Sequence, residues 1–276
     1  MGFPFSSQSG SQAQSKAPLE NHVILKRDIW AMNILICIDD TDNLDSMGTG
    51  HLADELRLQL EDKFQIKTTK ITRHQLFVHE KIPYTSHNST MCFTARINEK
   101  HHSDIILHSS VFLKERHAEG SDPGLCVAIE DRITDKPLLM EFGRRATCSV
   151  LTKKEAYQLA EKLDIHLSEH GGTGDGVIGA LAGIGLRMTG NHGRFRGGYL
   201  IQDNDRAISP KDLCRKYNID EVRECVSGKM VDSGIISLEG KVKTVLLNGL
   251  CILPVIRLDG ASWRNLTKDE IKEKYN

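Results

Sequence analysis

The chain has 276 residues, 39% of them hydrophobic, and a formal net charge of −1. This length allows one large domain or two ordinary ones, and the near-neutral charge argues against a surface devoted wholly to nucleic acid. No apolar run approaches the roughly 20 residues that span a bilayer, so we expect no membrane association. Seven scattered cysteines without a C-x-x-C pair are typical of reduced thiols in a cytoplasmic protein.

The start of the chain contrasts with the stretch that follows it. Residues 1–31 are rich in Ser, Gln, Gly and Ala and predict a disordered leader. Residues 34–52 then predict a strand, an acidic loop and a helix, because an apolar run ends abruptly in acids and leucines follow at helical spacing. The acids at the strand end are Asp39, Asp40 and Asp42.

This acidic loop has two interpretations. Residues 33–55 contain no Lys or Arg, and two like charges about 4 Å apart repel by roughly 4 kcal/mol at an effective dielectric near 20. Converging carboxylates therefore favour Mg²⁺ carried in with a nucleotide, and the helix start beside them favours phosphate. In the alternative, Asp42 or Asn43 only closes an Asx turn and Thr49 only caps the helix.

The motif I-D-D-T-D at 38–42, followed by M-G-T-G-H-L-A at 47–53, resembles the kinase-like domain of the archaeal tRNA agmatinylcytidine synthetase (TiaS) family. The resemblance implies an enzyme that uses ATP and Mg²⁺. It also implies that the threonine of the helix start is phosphorylated by the enzyme itself. The positions implied as catalytic are Asp39, Asp40, Asp42 and Thr49, and the three aspartates are also the implied metal ligands.

Further strands and a helix complete the first half. Residues 66–72 alternate like a half-buried strand, 90–97 and 125–129 read as strands, and 101–118 as a helix. The first of these strands leads into Arg73, and a loop through I-P-Y at 82–84 ends near Asn88. The resemblance implies that Arg73 binds phosphate and that Asn88 fixes the loop or contacts the ligand. A surface charge and a turn residue are the alternatives.

The second informative stretch is the glycine-rich run at 170–185. A capping box at Thr152 and Glu155 starts a helix before it. The run contains G-x-G-x-x-G without the strand and acid of a dinucleotide site, so it indicates a tight turn with N–H groups facing an anion, or simply close packing. TiaS has a similar run in its ferredoxin-like domain. The resemblance implies that the nucleotide-binding glycines are Gly171, Gly172, Gly174 and Gly176.

The rest of the chain carries weaker patterns. Arg194 and Arg196 lie in a basic loop that could meet a phosphate or be solvated. Strands are predicted at 198–202 and, as the last strand, at 251–258. A helix is predicted at 212–225, and a hairpin pairs 235–238 with 242–247.

Together these patterns and the resemblance predict an α/β (α+β) protein with a kinase-like α/β domain at 32–150 packed on a ferredoxin-like α+β domain at 151–262. Residues 263–276 form a C-terminal tail. The resemblance covers about 33–260 and leaves out the oligonucleotide-binding fold and zinc ribbon with which TiaS holds tRNA. It therefore implies a catalytic core, to which a partner chain could supply RNA binding.

Two functional hypotheses follow. The first is an enzyme that uses Mg²⁺ and ATP to activate an oxygen on an RNA base or a small molecule for attack by an amine. The second is a nucleotide-binding regulatory protein or subunit that has kept the fold without turnover. The intact acidic motif favours the first. Two departures from the family pattern favour the second: the loss of several basic residues, and Asp175 in place of Arg.

Overall fold

The computed structural model describes residues 1–2, 31–82 and 88–275. Its α-helices are α1 (Thr49–Phe64), α2 (His102–Arg116), α3 (Lys136–Ala146), α4 (Lys153–Lys162), α5 (Gly176–Met188), α6 (Pro210–Tyr217) and α7 (Lys268–Lys274). Its strands are β1 (Ala31–Asp39), β2 (Lys67–Thr68), β3 (Thr72–Gln75), β4 (Ser89–Asn98), β5 (Gly124–Ile129), β6 (His166–Glu169), β7 (Arg194–Phe195), β8 (Ala207–Ile208), β9 (Glu221–Glu224), β10 (Ile235–Ser237), β11 (Val245–Leu247), β12 (Leu250–Asp259) and β13 (Ser262–Asn265). Residues 3–30 of the predicted leader and Pro83 and Tyr84 of the predicted loop lie outside the described residues.

β1 is the central strand of the first half. It pairs antiparallel with β4 on one side and β5 on the other, β6 follows β5, and β3 follows β4. Ile34, Ile36 and Ile38 face α1 and α2, whereas Leu35 and Cys37 face α3, α4 and α5. Both faces of β1 are therefore covered, which explains why its sequence is continuously apolar rather than alternating.

Glycines let α5 lie close to the sheet. An added methyl group on Gly183 would overlap the side chains of Cys37 and Thr90, and one on Gly185 would overlap the backbone carbonyl of Leu139 in α3. The prediction that small residues of this helix permit close packing on a sheet is confirmed by these contacts. Ala180, Leu181, Ala182 and Ile184 are fully buried beside them.

The second half continues the same sheet. β7 pairs with β3, placing Arg194 beside Arg73, and the strand order then runs β7, β11, β12, β13, β10 and β8. Three further hydrophobic clusters lie in the described part of this half: one around Leu213, Val222 and Leu253, a smaller one around Val245 and Ile252, and a third of Phe195, Leu246 and Cys251.

The predicted mixed α/β class is confirmed by these elements. The division into a kinase-like and a ferredoxin-like domain remains a prediction. One core nevertheless extends across the predicted boundary at residue 150, since Leu35 and Cys37 of β1 share a cluster with Ala156 of α4 and Ala180 of α5. Helix α4 begins at the predicted capping box, in which Thr152 and Glu155 exchange hydrogen bonds.

Several predicted elements of the second half are wrong. Residues 235–238 and 242–247 do not pair with each other, because β10 pairs with β13 and β8 while β11 pairs with β12 and β7. Residues 198–202 contribute only a single bridge, from Tyr199 to Val242. The helix predicted at 212–225 ends at Tyr217, where Asn218 adopts a left-handed conformation, and β13 and α7 follow the strand predicted to be last.

All seven cysteines are free thiols, and four of them are buried. Within the part of the chain that the structure describes, no helix combines the length and apolar character required to span a membrane.

The contact between α5 and α3 gives a first test. Gly185→Ala should lower the free energy of unfolding by about 1–3 kcal/mol, as is usual for overpacking a core. The physical reason is that the new methyl group meets a backbone carbonyl, which cannot move aside as a flexible side chain could. Urea denaturation followed by circular dichroism measures the change.

Gly48→Ala is the matched control. Gly48 has φ −59, and a methyl group there would lie 3.7 Å from its nearest neighbour, Asp42 Oδ2. Gly48 is the N-cap of α1, where glycine is favoured over alanine, so the loss should be roughly 0.5–1 kcal/mol and smaller than that of Gly185→Ala. Equal losses in the two variants would contradict the close packing assigned to α5.

Candidate functional site

The acidic loop folds back onto the start of α1. Asp42 Oδ1 accepts hydrogen bonds from the backbone N–H of Thr49 (3.2 Å) and from its hydroxyl (2.5 Å). The Thr49 hydroxyl oxygen in turn accepts from the Thr41 N–H at 3.2 Å. Thr49 therefore does not cap the helix with its own side chain, as the turn interpretation held. Asp42 instead satisfies an N–H of the first turn and fixes the loop.

Part of the turn interpretation is nevertheless correct. The Asp45 N–H donates to Asn43 Oδ1 at 3.0 Å, which is an Asx turn. The turn belongs to the tip of the loop, where Leu44 and Met47 are exposed. The tip is thus held by local hydrogen bonds, independently of the carboxylates nearer to β1.

Asp39 lies at the end of β1 against α5. Its side chain is only 7% exposed and lies so close to Gly179 that a methyl group there would overlap the carboxylate. Burial raises its pKa well above the ordinary value, and the charges of Asp40 and Asp42 raise it further. Asp39 is therefore poorly suited to remain charged.

Asp40 is half-buried directly after the strand. It has φ +51, so the chain turns sharply here. Burial raises its pKa to about 6, with further contributions from Asp122, Asp42 and Asp175. A cation near Asp40 would relieve this repulsion.

The three predicted metal ligands are not brought together as one ligand set. Among the residues that the structure describes, no group of three or more His, Cys, Asp or Glu side chains is arranged to hold a metal ion. Asp39 lies against α5 and Asp42 is bonded to Thr49. Mg²⁺ that arrives with a nucleotide, however, uses only one or two carboxylates besides phosphate oxygens and water. The position of Asp40 fits that smaller requirement.

A cavity of about 120 Å³ opens beside these aspartates. Its lining includes four acids, Asp39, Asp40, Asp42 and Asp175. It also includes five large apolar side chains, Leu76, Ile82, Val150, Leu151 and Ile178. We call this the acidic cavity. An apolar lining with a few polar groups is the usual composition of a small-molecule site.

Of the glycines implied as nucleotide ligands, only Gly176 lines this cavity. The others serve close packing, the alternative considered from the sequence. Methyl groups on Gly172 and Gly174 would overlap the carboxylates of Asp122 and Glu169, and one on Gly171 would lie 2.9 Å from the ring of His117.

The start of α5 presents few free donors to an anion. The N–H groups of Gly176, Val177 and Ile178 donate to the carbonyls of Asp122, Gly174 and Asp175. Because the first donors of a helix are the ones that bind phosphate, this bonding weakens the predicted role of the turn in anion binding.

Asn88 and Arg73 lie on opposite sides of Ser89. Asn88 lines the acidic cavity, and its side chain donates to the Phe77 carbonyl at 2.7 Å, which holds the preceding loop. Arg73 donates to the Ser89 hydroxyl at 2.8 Å and lines a second cavity. Burial lowers the pKa of Arg73, and the nearby Asp42 opposes that effect.

The second cavity, of about 360 Å³, adjoins the first and shares Asp42, Thr49 and Ser89 with it. We call it the basic cavity. Its cationic side chains come from four separate segments of the chain: Arg73, Arg194, Arg196, Lys243 and Lys268. The sequence drew attention to the first three only. In the sequence, Lys243 and Lys268 have ordinary polar residues nearby, and no local pattern indicates that they belong to a site.

No family model matches the chain, and no curated protein matches it. Solved structures similar to it include a complex of TiaS with an isoleucine tRNA and ATP (21% identity, 72% of this chain and 49% of that one, TM-score 0.49) and apo TiaS, a tRNA agmatidine synthetase (21%, 72% and 48%, 0.48). Another is a tRNA fluorescent labeling enzyme (26%, 56% and 36%, 0.48). The chain spans about half or less of these structures. TiaS is also the family that the two sequence motifs resemble.

The raised pKa of Asp40 predicts a pH-dependent cost to stability. A carboxyl whose pKa is 3.8 when unfolded and about 6 when folded holds its proton more tightly in the folded state. Stability is therefore lost as pH rises from about 4 to about 6. In metal-free buffer at pH 7.5, Asp40→Asn should raise the free energy of unfolding by about 1–2 kcal/mol, a figure reduced for the partial exposure of the group.

The same variant should change stability little near pH 3.5, where Asp40 is protonated in both states. Asn also tolerates the positive φ at this position, so no backbone strain is added. The control is Asp45→Asn, an exposed acid in the same loop. Chemical denaturation at the two pH values separates the effects, and an equal gain at both would contradict the electrostatic explanation.

Proposed function

We propose that the protein is an enzyme that uses ATP and Mg²⁺ for phosphoryl transfer, activating an oxygen on an RNA base or a small molecule. The observation that carries this proposal is the junction of the acidic and basic cavities at Asp42 and Thr49. Phosphoryl transfer depends on positioning and charge neutralisation, and a metal-binding carboxylate beside converging cations supplies both. The TiaS-like sequence motifs at 38–53 and 174–185 add support.

The nucleotide would lie across the junction. Its base would contact the apolar side chains of the acidic cavity at Leu76, Leu151 and Ile178, and Asn88 also lines this cavity. Its phosphates would extend past Thr49 toward Arg73. At about 120 Å³ the acidic cavity is small for a whole nucleotide, so the phosphates have to reach beyond it.

Asp40 would hold Mg²⁺ together with phosphate oxygens, and Asp42 and Asp39 would lie near the ion. The bound ion would supply a Lewis acid that neutralises phosphate charge. The residues of the chain orient the nucleotide and exclude water from the junction. Of the predicted glycines, Gly176 alone would contact the ligand directly, while Gly171, Gly172 and Gly174 shape the turn behind it.

Thr49 would accept a phosphoryl group. Its hydroxyl donates to Asp42 at 2.5 Å, so Asp42 would take the proton as the hydroxyl oxygen bonds to the γ-phosphorus and the bond to ADP breaks. The residue is only 5% exposed, but it lines both cavities. If no group is transferred to it, Thr49 would act as a hydroxyl that senses phosphate.

The second hypothesis, a nucleotide-binding regulatory protein or subunit, has its own support. Asp175 places negative charge at the mouth of the acidic cavity, and the donors at the start of α5 are occupied by backbone carbonyls. Under either hypothesis we place the protein in the cytoplasm, and a partner chain could supply RNA binding.

Nucleotide binding should depend on Asp40. Asp40→Asn should abolish Mg²⁺-dependent binding of ATP, because the carboxylate that neutralises the ion is gone, whereas Asp45→Asn should bind as the parent does. Isothermal titration with a non-hydrolysable ATP analogue, with and without Mg²⁺, measures this. Unchanged binding by Asp40→Asn would contradict the site assignment.

Incubation of the purified chain with Mg²⁺ and γ-labelled ATP distinguishes the two hypotheses. For the enzyme we expect label on the protein or steady formation of ADP or AMP, with protein label lost in Thr49→Val. Thr49→Ser should restore the label because it keeps the hydroxyl. Tight nucleotide binding without label or turnover would favour the regulatory hypothesis.

A further inference from the structure

The basic cavity brings together cations from distant parts of the chain. Arg196 is paired with Asp54 at 2.9 Å. In the part of the chain that the structure describes, no salt bridge joins a carboxylate to any of the other four cations, Arg73, Arg194, Lys243 and Lys268. Asp42 is the one acidic side chain among the described residues that line the cavity.

Three of these cations, Arg73, Arg194 and Lys243, are also partly withdrawn from water. Burial lowers the pKa of Lys243 to about 8, with further lowering by Lys241, Arg194, Lys268 and Arg73. Burial likewise lowers the pKa of Arg194, and Arg73 adds to the effect. Half-buried like charges oppose folding, so their convergence on one cavity is explained by a ligand rather than by stability.

The positions of these side chains are fixed by the fold. Pairing of β3 with β7 sets Arg73 opposite Arg194. The Lys243 ammonium donates to the carbonyl of Gly197, and the exposed Lys268 follows the capping residue of α7. The cavity is therefore assembled from separate elements of the fold, which gives it a defined shape.

The charge selects the ligand. A dicationic amine would be repelled by this set of side chains, whereas Arg and Lys are the usual partners of phosphate. The volume of about 360 Å³ lies within the usual range for a small-molecule site. Lys81 lines the acidic cavity and supplies a separate cation there.

We propose that the basic cavity binds the acceptor of the reaction, a small molecule that carries a phosphate group, through Arg194, Lys243 and Lys268. The role as acceptor rests on the proposed function. The binding of a phosphate group does not. Thr49 and Asp42 lie on the boundary between this ligand and the nucleotide, where a transferred group would pass.

The test uses inorganic phosphate and the full chain. Phosphate binding, followed by ³¹P NMR, should weaken about tenfold or more in Lys243→Met, since one charge-assisted hydrogen bond contributes about 1.5–3 kcal/mol. Lys211→Met, at an exposed position of α6, is the control and should bind as the parent does. Absence of phosphate binding, or equal binding by the two variants, would overturn the proposal.

A second arm separates the acceptor site from the triphosphate site. With a saturating non-hydrolysable ATP analogue and Mg²⁺, phosphate affinity should stay within about twofold. Displacement of phosphate by the analogue would overturn the acceptor assignment, because Arg194, Lys243 and Lys268, and not Arg73 alone, would then hold the nucleotide's own phosphates. Lys243-dependent phosphate binding in a chain that binds no ATP would support the anion site while the proposed function failed.

A pH series adds a readout that a purely structural lysine would not move. Sulfate keeps a fixed charge between pH 7 and 9, whereas Lys243 loses its proton as pH rises through about 8. Sulfate affinity should therefore fall over this range in the parent and stay nearly level in Lys243→Arg, which remains charged. A parallel fall in both would overturn the role of Lys243.

Discussion

The close approach of α5 to β1 is the constraint on which the rest of the structure depends. Gly179 leaves room for the buried carboxylate of Asp39, and Gly183 leaves room for Cys37 and Thr90. Because β1 is central, this contact fixes the end of the strand and hence the start of the acidic loop. The loop is then completed by Asp42, which ties it to the first turn of α1.

The site that results has its charges separated. Carboxylates collect where β1 ends, and cations collect where β3 and β7 pair, with Thr49 between them. Like charges lie close together in each set. They contribute to the raised pKa of Asp40 and to the lowered pKa of Lys243. Both shifts have burial as their largest cause and nearby like charges as the next. A metal ion and an anionic ligand would relieve the repulsion in both sets, which is why we propose that the two cavities act together.

The sequence was most informative where a local pattern of residues is enough to indicate the structure that forms. The apolar run of β1, the capping box of α4 and the small residues of α5 each indicated a structure that is present. It was least informative about strand partners. Alternating apolar residues identify a strand but not its neighbour, so β10 and β11, adjacent in sequence, pair with different strands. The sequence could not show how many N–H groups of the glycine turn are free either, since that depends on which carbonyls come close.

By itself the sequence determined that this is a mixed α/β chain, that a strand ends in an acidic motif, and that a glycine-rich helix packs closely. These follow from periodicity and from side-chain size, which act between near neighbours. Only the tertiary structure decided that Asp39 turns toward α5, that Asp42 holds Thr49, and that Lys243 and Lys268 join Arg73. Side chains far apart in the sequence meet there through the pairing of β3 with β7 and β7 with β11. No local pattern encodes such a meeting, because the pairing depends on the packing of the whole sheet.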